Sequence, residues 1–89
     1  MANPVLVDIP EDTWTKIADD VTSGGWYIKD TSPKYLQTIR VAGDPAPTDP
    51  QDDGKAVPVD LLEGWFSFTA GHDVYFIAEK SDGKVRVDL

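Results

Sequence analysis

Any chemistry in this chain has to come from carboxylates and aromatic rings, because reactive side chains are scarce. Of 89 residues, 16 are Asp or Glu, one is His and none is Cys. The aspartates concentrate in Gly43 to Lys55, where GDPAPTDPQDDGK holds four of them with three prolines and two glycines. Asp49, Gln51, Asp53, Gly54 and Asp60 fall near the liganding and turn positions of an EF-hand calcium loop. The match is poor. Gln51 stands where a carboxylate or Asn belongs, Asp60 is shorter than the customary Glu, and Pro50 and Pro58 oppose flanking helices. A looser surface set, Asp49, Asp52 and Asp53, supplies the calcium candidates. The expectation is solvated carboxylates, with no metal and no cofactor.

His72 is the sole imidazole, and Ala70-Gly71-His72-Asp73 reads as a turn. Ser67, His72 and Asp73 contain the residue types of a nucleophile–base–acid triad, but their spacing does not force the geometry that triad needs. Asp52 and Asp53 could hydrolyse a glycoside only across a cleft of suitable width. No enzyme activity is expected. The aromatic pairs Trp26-Tyr27 and Trp65-Phe66 offer a different chemistry, since one ring of each pair should point outward from a strand. Such rings pack against a partner subunit or stack on a sugar, with nearby acids accepting its hydroxyl hydrogen bonds. The packing reading leads, because buried aromatics most often serve cores and interfaces.

The elements that must position these groups are short strands. Val5 to Ile9 is fenced by Pro4 and Pro10 and reads as an edge strand or arm. Thr13 to Val21 follows, and Thr22-Ser23-Gly24-Gly25 reads as a turn. Trp26 to Lys29 and Tyr35 to Ala42 come next, the latter with clear period-two alternation. Val57 to Leu62 and Gly64 to Thr69 precede Val74 to Ala78, which is apolar on both faces. Ser81-Asp82-Gly83-Lys84 reads as a hairpin turn before Val85 to Leu89. No helical periodicity is sustained over three turns.

These signals predict an all-β fold, a small antiparallel β-sandwich or jelly-roll-like domain of seven to eight short strands. Residues 1–12 form the N-terminal arm or edge strand, and residues 13–89 form one domain with an exposed acidic, proline-rich loop at 43–55. The expected core contains Ile39, Phe66, Phe68, Phe76, Val85 and Val87. A strand apolar on both faces needs a second covering surface, and in so small a domain that surface is expected to be another subunit.

The net charge of −8 opposes binding to nucleic acid, whose affinity depends on Lys and Arg meeting phosphates. No apolar run approaches the roughly 20 residues that span a bilayer, and the start MANPVLVDIPEDTW lacks a signal-peptide core. A soluble product without membrane contact is expected.

Several segments resemble small structural proteins of tailed bacteriophages. They are Trp26 to Gln37, Ala46-Pro47-Thr48, Val57-Pro58-Val59, Asp73 to Glu79, and Val85 to Leu89. The resemblance covers the chain from about Trp14 onward and carries no catalytic signature. It implies a compact sandwich acting as a capsid-decoration, fibre-associated or other accessory component. It also implies a virion location after synthesis in the bacterial cytoplasm, contacts with other virion proteins, and self-association, with a trimer one stoichiometry. Val5, Leu6, Val7, Trp26, Trp65, Tyr75 and Ile77 are the expected contact residues. The alternative function is a small carbohydrate-binding module or adhesin using Trp26, Trp65 and neighbouring acids.

Overall fold

The computed structural model describes residues 4–48, 55–57 and 62–89. Among the described residues, alternating β-branched and aromatic side chains give six strands. These are β1 (Val5–Ile9), β2 (Thr15–Ile28), β3 (Lys34–Val41), β4 (Lys55–Ala56), β5 (Glu63–Glu79) and β6 (Gly83–Asp88). All lie in one sheet, in the order β1-β6-β2-β5-β3-β4, and every neighbouring pair is antiparallel. The fold is all-β, and the described residues contain no helix. Among the described residues the strands form one six-stranded sheet, without the seven or eight strands in two facing sheets that the sequence predicts.

The strand count differs because two expected turns lie inside strands. Thr22 to Gly25 runs through β2 and Ala70 to Asp73 runs through β5, giving strands of 14 and 17 residues. The glycines serve close packing here. Gly24 pairs with Phe66, Gly25 with Trp65, and Trp26 with Gly64. A Cβ on Gly24 would meet the Phe66 ring at 2.8 Å and one on Gly25 would meet the Trp65 ring at 2.7 Å. A Cβ on Gly64 would strike the Trp26 indole. Three successive cross-strand pairs thus each seat an aromatic ring over a glycine.

The turn-like sequences survive as bulges. The β2–β5 register slips between Lys16 and Ala18, between Ala18 and Val21, and between Val21 and Ser23. Asp20 adopts the left-handed conformation there, with φ of 51°, which a short polar side chain tolerates. Bulges bend strands and increase their twist, and here the sheet rolls up. The chain leaving β1 meets the far end of β5, where Glu11 bridges Ala78 and the Asp12 N–H donates to the Ala78 carbonyl at 2.8 Å. The chain leaving β1 therefore touches β5 at a single bridge beyond the end of the strand, while β1 itself pairs only with β6, and β3 and β4 extend the sheet from β5.

The expected hairpin at Ser81 to Lys84 is instead a connection between strands that do not pair, since β2 lies between β5 and β6. Its positive φ falls on Lys80, at 83°, and not on Gly83. Gly83 is required because the Tyr35 hydroxyl end fills the space of a Cβ. That hydroxyl donates to the Asp30 carbonyl at 2.5 Å and accepts from the Lys84 N–H at 3.1 Å. Burial pushes the Tyr35 phenol above its ordinary pKa.

Phe76 is fully buried in the core, with Trp26 and Tyr35 set edge-on to its ring at centroid distances of 5.2 and 6.2 Å. Phe66, Val85 and Val87 are also buried in this core, while Phe68 is half-buried against it. Ile39 is not a core residue. It is exposed on β3, two residues beyond Gln37.

The opposite face of β3 and β5 is covered too. Leu36 pairs with Ile77 and Thr38 with Tyr75, and all four are buried. Tyr75 is 4% exposed and Ile77 0%, in a single chain. The second cover for Val74 to Ala78 therefore comes from the chain itself, which corrects the expectation that another subunit supplies it.

Candidate functional site

β1 ends the sheet, and among the described residues no strand pairs with its outer side. Which backbone groups face outward follows from Lys84, the β6 partner of Asp8. The Lys84 carbonyl accepts from the Lys29 N–H at 2.9 Å, and the Lys84 N–H donates to the Tyr35 hydroxyl at 3.1 Å. Both groups of Lys84 thus point away from β1. In an antiparallel ladder hydrogen-bonded and non-hydrogen-bonded pairs alternate. The pairs Val5↔Val87, Val7↔Val85 and Ile9↔Gly83 consequently carry the bonds to β6. Leu6 and Asp8 turn their N–H and C=O groups to the open side. Pro4 and Pro10 share that parity, which places a residue without an N–H where the ladder loses nothing.

The side chains of this edge are also uncovered. Val5 is 57% exposed and Leu6 54%, while Val7 is half-buried against the core. On the outer face of the sheet Leu6 pairs with Arg86, Arg86 with Tyr27, and Tyr27 with Glu63. The Arg86 guanidinium and the Lys29 ammonium lie 5.4 and 5.3 Å from the centroid of the Tyr27 ring. Arg86 also lies 3.5 Å from Asp88. Trp65, beside this row on β5, is 77% exposed.

The expected contact residues therefore separate into two groups. Val5, Leu6 and Trp65 are at the surface, with Val7 beneath the edge. Trp26, Tyr75 and Ile77 are interior. Trp26 loses its surface role because Gly64 gives its ring a seat against Phe76, and Tyr75 and Ile77 lose theirs because the chain covers both faces of β5.

A charge cluster with one buried member, Asp73, holds the bend. Asp73 is buried, and its Oδ1 accepts the Asp20 N–H at 2.8 Å. Lys16 Nζ lies 3.6 Å from Asp73 Oδ2 and 3.1 Å from Asp19 Oδ1. The bond from the Asp20 N–H, aided by the Lys16 charge, holds the Asp73 carboxyl below its ordinary value against the opposing effect of burial. Because the folded-state value is depressed, this contribution to stability is present above the ordinary value of 3.8. It is lost as pH falls through the lower folded value. Asp73→Ala leaves the Asp20 N–H without its acceptor and is expected to cost about 1–3 kcal/mol in urea denaturation. The wild-type midpoint should fall on acidification below about pH 4, with a smaller fall for Asp73→Asn. Equal acid sensitivity in both proteins would contradict this role.

Ser67, His72 and Asp73 do not form a triad. His72 Nδ1 sits 2.8 Å from the Ala70 carbonyl, an acceptor only, so Nδ1 carries the proton. The imidazole stacks on Phe68 at 4.2 Å, and Asp73 is engaged by Asp20 and Lys16. Among the described residues no group of three or more His, Asp or Glu is placed to hold a metal ion. Asp49, Asp52 and Asp53 lie outside the described residues.

The chain matches no protein-family model, no curated protein and no solved structure. Function therefore has to be argued from the surface. Its most informative residues, Pro4 and Pro10, were visible in the sequence. Their even spacing puts both on the same side of one strand, a signal that marks the direction of the open edge.

Proposed function

We propose that this protein is a non-catalytic assembly domain, an accessory structural protein of a tailed-phage virion that self-associates and contacts other virion proteins. The observation that carries the proposal is the open edge of β1, with Val5 and Leu6 each more than half exposed. An unpaired strand edge is a template for another chain, and the prolines at 4 and 10 confine that pairing to the short stretch between them. The phage assignment rests on the segment resemblance. The net charge of −8 suits a component that stays soluble before assembly.

Light scattering across a concentration series tests the association. A mass rising from one chain to a defined oligomer is expected, and a single-chain mass at every concentration would contradict it. Peptides of the chain in gradient-purified particles test the location. A second reading, sugar binding, is favoured by Trp65, whose indole stands largely in solvent beside Asp88 and Glu63 on neighbouring register positions. Glycan binding abolished by Trp65→Ala, with the solution mass unchanged, would favour that reading.

A further inference from the structure

We infer that the partner of the β1 edge is a second copy of the same strand, paired antiparallel about a two-fold axis through Val7. The inference rests on the assembly reading above and names its contact.

The open side of β1 carries few hydrogen-bonding groups. Leu6 and Asp8 face outward, and the flanking outward positions are Pro4 and Pro10, neither of which has an N–H. The Pro10 carbonyl already accepts the Thr13 N–H at 3.3 Å. The edge is therefore a short window with two donors, closed by a prolyl ring at each end. Those rings lie at equal distance on either side of Val7, so Pro4-Val5-Leu6-Val7-Asp8-Ile9-Pro10 is close to palindromic in its backbone chemistry.

A two-fold axis at Val7 sets Leu6 opposite Asp8 of the second copy, and Asp8 opposite its Leu6. Each is then a hydrogen-bonded pair exchanging two bonds, so all four outward N–H groups and their carbonyls are satisfied. The prolines meet at the two ends, where both strands stop pairing together. A longer strand would be pushed off by the prolyl rings while still presenting its own backbone groups.

The side chains agree with this register. On the inner face Val7 meets its counterpart, and the exposed Val5 lies opposite Ile9 of the second copy, whose side chain is already fully buried in its own core. On the outer face the row reads Arg86, Leu6, then Asp8 and Lys84 of the second copy. Asp8 already has Lys84 of its own chain beside it, and the pairing adds Arg86 of the other copy beyond the leucine. The copies repel through their net charge, so salt strengthens the contact by screening it.

The chain has no cysteine, so Val7→Cys introduces the only thiol. A non-hydrogen-bonded antiparallel pair holds its Cα atoms about 4.5 Å apart, within the range a disulfide bridges. Oxidising the full-length variant should give a covalent dimer, more completely in high salt, while Trp65→Cys under the same conditions should not. Leu6→Pro removes an outward N–H and leaves the bonds to β6 in place. It should shift the light-scattering mass to one chain, with a circular dichroism spectrum like that of the wild type. If the wild type associates but Val7→Cys does not crosslink and Leu6→Pro stays associated, the β1 contact is overturned while the assembly reading survives. If the wild type is monomeric throughout, both fail.

Discussion

Phe76→Ala is expected to lose about 3–5 kcal/mol of stability, the range found when a buried phenylalanine is truncated and its cavity does not collapse. Phe76 has no exposed surface and sits in the strand shared by the two longest ladders, opposite Thr15 on β2 and Gln37 on β3. Its ring is also where Trp26 and Tyr35 meet. β5 is held by ladders on both sides, to β2 and β3, which limits inward movement of its neighbours to fill the gap. At roughly 0.05–0.15 kcal/mol per residue, a domain of this length has only about 4–13 kcal/mol to lose. Guanidinium unfolding should show the variant marginal or unfolded at room temperature. A loss below about 1 kcal/mol would mean that the ring is not the centre of the core.

Trp26→Ala and Trp65→Ala should differ sharply, although the sequence presents the two tryptophans alike. Trp26 is buried edge-on to Phe76 and lies over Gly64, so its loss is expected to cost about 3–5 kcal/mol. Trp65 stands in solvent with only one edge of its indole over Gly25, and its truncation should change stability by about 0.5 kcal/mol or less. Tryptophan fluorescence gives an independent check. Emission of the Trp65→Ala protein should be blue-shifted relative to wild type, because the most solvated indole has been removed. Similar stability losses in the two variants would contradict the Gly64–Trp26 packing.

The strand content was legible because alternation survives wherever one face of the sheet is buried. Tyr35 to Ala42 and Val85 to Leu89 fall within a residue or two of β3 and β6. Their register was not legible. Gly24 and Gly25 carry the chemistry of a turn, but each receives a ring from the opposing strand, and that partner lies about forty residues away. Ala70 to Asp73 misled for a related reason, since its turn propensity is expressed as a bulge that Asp73 itself secures by accepting the Asp20 N–H. The double burial of Val74 to Ala78 could be read from its apolar run. What covers it could not, because a sheet that rolls up supplies cover from segments distant in sequence. At the candidate site, Val5 and Leu6 were readable as an edge, whereas the outward side of that edge required the hydrogen bonds of Lys84.

Amide hydrogen exchange across β1, followed residue by residue at two protein concentrations, tests the central claim most directly. In dilute solution Val5, Val7 and Ile9 should exchange slowly, held by β6, while Leu6 and Asp8 exchange fast. At high concentration Leu6 and Asp8 should become slow as well, as the second copy takes their N–H groups. Fast exchange at Leu6 and Asp8 under both conditions, with the protein associated, would contradict the account.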